Sequence, residues 1–148
     1  MVFKGEQLKP WVLKKIVLPQ HTDHAGVMWH GSYFNWLEEG RINALSKVGL
    51  SYAELSKQGL EIPVFHLQIK YISPLYHGDE VLMESRVLTK KGIRWPWKTI
   101  FLKDQNQLSA EANIELVLVK RDQKGIRLLR NYPQKIEVAF SNLQKGSS

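Results

Sequence analysis

Residues 32–48 repeat with a helical period, and from Gly59 onward the apolar positions recur every second residue. Tyr33, Leu37, Gly40, Ala44 and Val48 fall on one helical face. Phe65, Leu67, Ile69 and Tyr71 alternate with His66, Gln68 and Lys70, as a half-buried strand does. One long helix followed by strands grouped on short turns leaves an α+β domain with an antiparallel sheet, because parallel pairing needs long crossovers. Phe34, Trp36, Ile42 and Leu45 make the helix apolar on more than one side, which predicts a helix enclosed by a curled sheet. Gly40, mid-helix, costs about 1 kcal/mol relative to Ala and predicts a close helix–sheet approach.

The remaining elements follow from local chemistry. Trp11 to Leu18 reads as a strand stopped by Pro19, and residues 19–31 as a loop. Ser32 is the predicted N-cap of the helix and Gly49 its terminator. Ser51 to Gln58 forms a short helical piece. Val81–Thr89, Trp95–Lys103 and Leu108–Lys120 are strands, with Asp104 to Gln107 as a turn between the last two. Pro96 predicts an edge or a bulge near the start of its strand. Trp95 and Trp97 share a strand face and belong to core or interface. Pro133 to Leu143 completes the chain as a helix, giving one domain over 1–148 with a core over about 11–140 and a polar tail.

Length and composition narrow the function. A chain of 148 residues builds one core. No apolar run approaches the roughly 18 residues of a membrane span, and Met1 to Pro10 lacks the pattern of a secretory leader. With no cysteine, disulfides, a thiolate nucleophile and Cys-based metal sites are excluded, which fits the cytoplasm. The net charge of +7 favours anionic partners. The cations are scattered with local clusters such as Lys90, Lys91 and Arg94, and no nucleic-acid-binding signature accompanies them, so the excess fits either phosphates on a small ligand or an ordinary solvated surface, and charge alone does not decide between them.

The chemistry concentrates just before the long helix. Asp23 lies in a turn-forming loop whose next element offers backbone N–H groups, an arrangement suited to a nucleophile or base facing an oxyanion. Taken alone, Asp23 also fits a turn cap. No Gly-x-Ser-x-Gly elbow is present, so the familiar Ser and Cys nucleophile signatures are missing. His21, His24 and His30 follow no zinc spacing, and neither a metal nor another cofactor is expected. Glu38 and Arg41, three apart on the helix, are expected to pair.

The run Thr22-Asp23-His24-Ala25-Gly26-Val27-Met28-Trp29-His30-Gly31-Ser32-Tyr33, continuing through Glu38 and Arg41, resembles the 4-hydroxybenzoyl-CoA thioesterase branch of the hotdog-fold superfamily. Within it the resemblance is to the YbgC-like acyl-CoA thioesterases, whose pattern is Thr-Asp-x-x-Gly-x-Val-x-His-x-x-Tyr before an aromatic helix with Glu-x-x-Arg. Residues Ile69 to Val81, with Pro74, Gly78 and Asp79, resemble a later segment of the same family, so the likeness covers about 12–140. It implies about five antiparallel strands wrapped around one long central helix, assembled as a homodimer or homotetramer with active sites at the dimer interface. It implies that Asp23 attacks an acyl-CoA thioester or activates water for the attack, that the His30 backbone N–H polarises the thioester oxygen, and that the His30 imidazole orients water or shuttles a proton. Gly26, Val27 and Tyr33 would contact the substrate. Apart from the resemblance, the charge of Lys90, Lys91 and Arg94 suits either CoA phosphates or a solvated hairpin end. Val27 lies one place before the Val of the pattern, and Pro19 and His21 stand where it has Tyr four residues and an acid two residues before the Asp. The branch that hydrolyses 1,4-dihydroxy-2-naphthoyl-CoA also lacks that Tyr, so an aromatic acyl group stays open. An acyl-carrier-protein thioester, a non-catalytic acyl-binding module and a nucleic-acid-binding protein are the competing readings.

Overall fold

A computed structural model of the protein describes residues 9–147; residues 1–8, in which a secretory leader was sought, and Ser148 lie outside the described residues. The order is β1 (Trp11–Ile16), α1 (His30–Lys47), α2 (Tyr52–Lys57), β2 (Leu60–Glu61), β3 (Val64–Tyr71), β4 (Glu80–Val87), β5 (Trp95–Lys103), β6 (Gln107–Leu116), β7 (Val119–Asp122), β8 (Gly125–Leu128) and α3 (Gln134–Lys145). Five strands form an antiparallel sheet in the order β1-β4-β5-β6-β3, and β2-β7-β8 form a second, smaller sheet. The α+β architecture with five main strands is the one expected. The smaller sheet was not: the strand read as Leu108–Lys120 ends at Leu116, Val119 begins β7, and β7 and β8 carry charge on both faces.

The main sheet buries Met83, Trp97, Phe101, Ile114 and Leu116, in one core cluster with Tyr33, Trp36, Leu37, Ala44 and Leu45 of α1. Each such side chain contributes about 1.5–3 kcal/mol on burial. Register explains how Tyr33 fits. Ala110 of β6 lies between Tyr71 of β3 and Phe101 of β5. The Tyr33 ring meets both neighbours edge-on, at 5.1 and 5.2 Å, over the gap that the small side chain leaves. Trp95 and Trp97 are core residues, and Trp95 stacks on Phe140 of α3 at 4.5 Å. Leu143 of α3 is fully buried, so the packed core extends past residue 140. Ser147 bonds the carbonyls of Lys9 and Pro10, which ties the tail to the start of β1.

Three local expectations change. Ser32 does not cap α1: the helix begins at His30 with Trp29 as N-cap, and the buried Ser32 hydroxyl donates to the His21 carbonyl at 2.9 Å. Pro96 marks neither an edge nor a bulge. β5 is central, its irregularity falls between Phe101 and Leu102, and the Pro96 carbonyl accepts from Leu88, just past the end of β4. A missing N–H is tolerated there because the ladder has ended. Glu38 and Arg41 do not close to salt-bridge distance, although the Glu38 charge still acts on the Arg41 guanidinium; Glu39 holds Lys15 of β1 at 3.0 Å. The sheet packs on the buried side of α1 as expected, and Phe34, Asn35, Glu38 and Glu39 lie on its exposed side. Gly49, at φ +86°, does end the helix as expected.

Gly40 does not mark a forced close approach. A Cβ there would meet Met83 Cε at 3.6 Å and Leu13 Cδ2 at 3.9 Å, which is ordinary van der Waals contact. Gly40→Ala is therefore expected to stabilise the fold by about 1 kcal/mol through helix propensity. Calorimetry should show the thermal midpoint rising by roughly 2–4 °C; a fall would mean that the helix and sheet lie closer than these distances.

Candidate active site

The loop before α1 is built around Asp23. Its N–H donates to the Val27 carbonyl at 2.9 Å, and its carbonyl accepts from Gly26 at 3.0 Å. Gly26 sits at φ +81°, a region costly for any residue with a Cβ. Asp23 Oδ1 accepts from the N–H groups of Ala25 (2.9 Å) and Val27 (3.2 Å). Both bonds fall on one oxygen, and no described residue donates to Oδ2. The turn-cap and catalytic readings are thus compatible, because one oxygen organises the loop and the other stays free. The buried Met28 anchors the loop through its N–H to the Leu75 carbonyl at 2.8 Å.

The first turn of α1 opens onto the same place. Its N-cap, Trp29, has no side chain that accepts a hydrogen bond, and the hydroxyl that sequence reading assigned to this task points to His21 instead. The Ser32 N–H bonds the Trp29 carbonyl, while the N–H groups of His30 and Gly31 head the helix with no preceding turn to receive them. An 18-residue helix thus presents the positive end of its dipole without a side-chain cap.

Asp23, Val27, Trp29, His30, Tyr33 and Tyr71 line one groove of about 470 Å³, closed on one side by residues 72–74. Four of the sequence-derived site residues therefore come together, and Gly26 shapes the loop beside them. Tyr33 is 2% exposed, and burial raises its phenol pKa, which keeps it a neutral wall. Lys90, Lys91 and Arg94 lie apart, at the turn between β4 and β5. Lys90 sits 4.1 Å over the Tyr132 ring and 3.5 Å from Glu137, while Arg94 covers Phe65 at 4.4 Å and pairs with Glu115 at 3.2 Å. A larger groove of about 780 Å³ runs past Lys14, Lys15, Glu80 and Asp104. The start of the long helix α1 does not line it, and its charges are dispersed.

Sequence reasoning missed Trp29. A Cβ on Gly31 would collide with the indole ring of Trp29, so Gly31 is a seat for Trp29 rather than a conformational requirement. The half-exposed indole meets His30 edge-on at 5.2 Å, and His30 meets Phe34 at 6.2 Å, giving the groove an aromatic rim. Only folded geometry shows this contact; an isolated Gly in a first helical turn carries no such signal.

His21 stands where the YbgC-like pattern has an acid, and its role here is structural. Its Nδ1 accepts from Leu18 N–H at 3.0 Å, its ring meets Trp36 edge-on at 5.2 Å, and its carbonyl receives both Trp29 N–H and Ser32 Oγ. Burial, with the nearby Lys15 ammonium adding to it and Glu39 opposing, holds the His21 pKa below its usual 6.5. The unfolded chain therefore binds the proton first, and stability should fall as pH drops below about 6.5. His21→Asn keeps an acceptor for Leu18 but does not titrate. The thermal midpoint of the parent is expected to lose more than that of the variant between pH 7.5 and 5; equal losses would remove this role.

Among the described residues no three His, Asp or Glu side chains converge on a point. No described helix is long and apolar enough to cross a membrane.

A family model for the thioesterase-like superfamily matches residues 17–140. A candidate esterase of Synechocystis sp. is 29% identical over 130 residues, 87% of this chain and 77% of that protein. An acyl-acyl carrier protein thioesterase of Arabidopsis thaliana is 27% identical over 85 residues, 57% of this chain and 45% of that one. The crystal structure of a DHNA-CoA thioesterase from Staphylococcus aureus superposes with a TM-score of 0.78 at 28% identity, covering 90% of this chain and 89% of that one. The chain thus belongs to the thioesterase-like superfamily and is a thioester hydrolase with the hotdog fold.

Proposed function

We propose that the protein hydrolyses an acyl-CoA thioester at the Asp23 groove, releasing a carboxylic acid and CoA. The observation that carries this reading is the shared groove: a carboxylate with one unengaged oxygen and the uncapped start of α1 line the same cavity. A thioester carbonyl gains little resonance stabilisation from sulfur, so a carboxylate and a preorganised donor suffice to open it. The Asp23 carboxylate attacks the carbonyl carbon or removes a proton from the water that does. The N–H of His30, with that of Gly31 beside it, receives the charge that develops on oxygen; one such donor is worth roughly 10²–10³ in rate. The neighbouring imidazole orders water or shuttles a proton. Val27, Tyr33 and the Trp29 indole wall the acyl group.

The active unit we propose is a dimer formed along β3. This strand is an edge of the main sheet, and Val64, Phe65, Tyr71 and the adjoining Ile72 are all exposed. A long apolar edge is a template for pairing with another chain. Two-fold antiparallel pairing sets the partner's Val64 end beside the Tyr71 end that borders the groove. The cations of the β4–β5 turn, Arg94 among them over Phe65, then approach the opposite protomer's site, where Lys90, Lys91 and Arg94 meet CoA phosphates. Steady-state release of free CoA thiol from a panel of aliphatic and aromatic acyl-CoAs tests the activity. Turnover of at least one class is expected; a flat response across the panel would favour the acyl-binding module.

A further inference from the structure

The hairpin β7–β8 holds a charge excess that hydrolysis at Asp23 does not use. Residues 119–130 carry Lys120, Arg121, Lys124, Arg127 and Arg130 against the single acid Asp122, a net +4 in a chain whose total is +7. Arg121 meets Glu61 at 3.2 Å and Arg127 meets Asp122 at 3.8 Å. Lys120, Lys124 and Arg130 have no carboxylate within ion-pair distance among the described residues. β8 is exposed along its whole length, with Ile126 at 61% and Leu128 also open. Unpaired cations around exposed aliphatic side chains describe a surface that fits an acidic protein.

We propose that this hairpin docks an acidic carrier protein, which presents the acyl thioester on a flexible prosthetic arm to the Asp23 groove of the neighbouring protomer. The inference rests on the hydrolase reading and on the β3 dimer. Leu116 of β6 pairs with Val64 of β3, and β7 starts three residues later, so the hairpin leaves the sheet at the Val64 end. Within one protomer that end lies the length of β3, roughly 24 Å, from the Tyr71 end. Across the two-fold pairing it lies next to the partner's groove.

The pattern disfavours other anionic partners. Lys120 and Arg127 are register partners on one face of the hairpin, and Arg121 and Ile126 on the other, with Lys124 in the turn. Charge spread over both faces and the tip exceeds what a cluster of nucleotide phosphates needs. Membrane insertion requires an apolar face without cations, yet Arg121 shares its face with Ile126 and Leu128. The hairpin has no aromatic side chain on which a nucleobase could stack.

The test compares one acyl group, decanoyl, carried on CoA and on a purified acidic acyl carrier protein, with parent protein and the triple variant Lys120→Glu, Lys124→Glu, Arg130→Glu. Calorimetric binding of the decanoyl carrier to an Asp23→Asn protein, with and without the triple change, runs alongside. The variant should lose roughly tenfold or more in kcat/KM on the carrier, through KM, and stay within about twofold on CoA. Added salt should erode the parent's advantage on the carrier. Equal losses on both substrates, an unchanged carrier reaction, or binding of DNA or anionic vesicles but not the carrier would overturn the docking assignment. Hairpin-dependent carrier binding without cleavage of either thioester would uphold docking and overturn the hydrolase reading instead.

Discussion

Asp23→Asn is expected to lower kcat by roughly 10²–10⁴ with little change in KM or thermal midpoint. The amide oxygen of Asn still accepts the Ala25 and Val27 N–H groups that bind Oδ1, so the loop keeps its shape while the charge is removed. Asp23→Ala should lose the same activity and also cost about 0.5–1.5 kcal/mol for each accepted bond. Paired measurement of free-thiol release and thermal unfolding separates these effects. Near-parental turnover by Asp23→Asn would reduce the residue to a turn cap.

The second large effect concerns assembly. Phe65 is 54% exposed in the protomer, beneath the Arg94 guanidinium, on the edge proposed to pair. In an isolated protomer, changing an exposed side chain costs within about 0.5 kcal/mol. Phe65→Asp is nevertheless expected to shift sedimentation from dimer to monomer and to lower kcat/KM by roughly 10²-fold, the scale of a substrate misplaced by about 1 Å. A variant that stays dimeric and active would place the subunit seam elsewhere.

Where periodicity decides structure, the sequence was legible. α1 with its Gly49 terminator, and the strands from β3 to β6, follow from apolar spacing, because burial of one face rewards that spacing directly. The hairpin β7–β8 escaped because its alternation is broken by cations on both faces. Ser32 misled because a hydroxyl can accept from a helix N–H as a cap or donate to a carbonyl, and the distant His21 carbonyl won. Pro96 misled because local chemistry does not show where a neighbouring strand ends. At the site, the Asp23–His30 spacing was informative, since a short loop must bring both to the head of one helix. The seating of Trp29 on Gly31 was not, because it depends on a side-chain rotamer set by the folded loop.

All of the chemistry assumes that one carbonyl meets both the Asp23 carboxylate and the head of α1. Crystallography of the protein with a non-hydrolysable thioether analogue of an acyl-CoA, its carbonyl retained, measures this directly. The carbonyl oxygen should lie within hydrogen-bond distance of the His30 N–H, with its carbon facing the free oxygen of Asp23. An acyl carbonyl bound away from both groups would contradict the assignment.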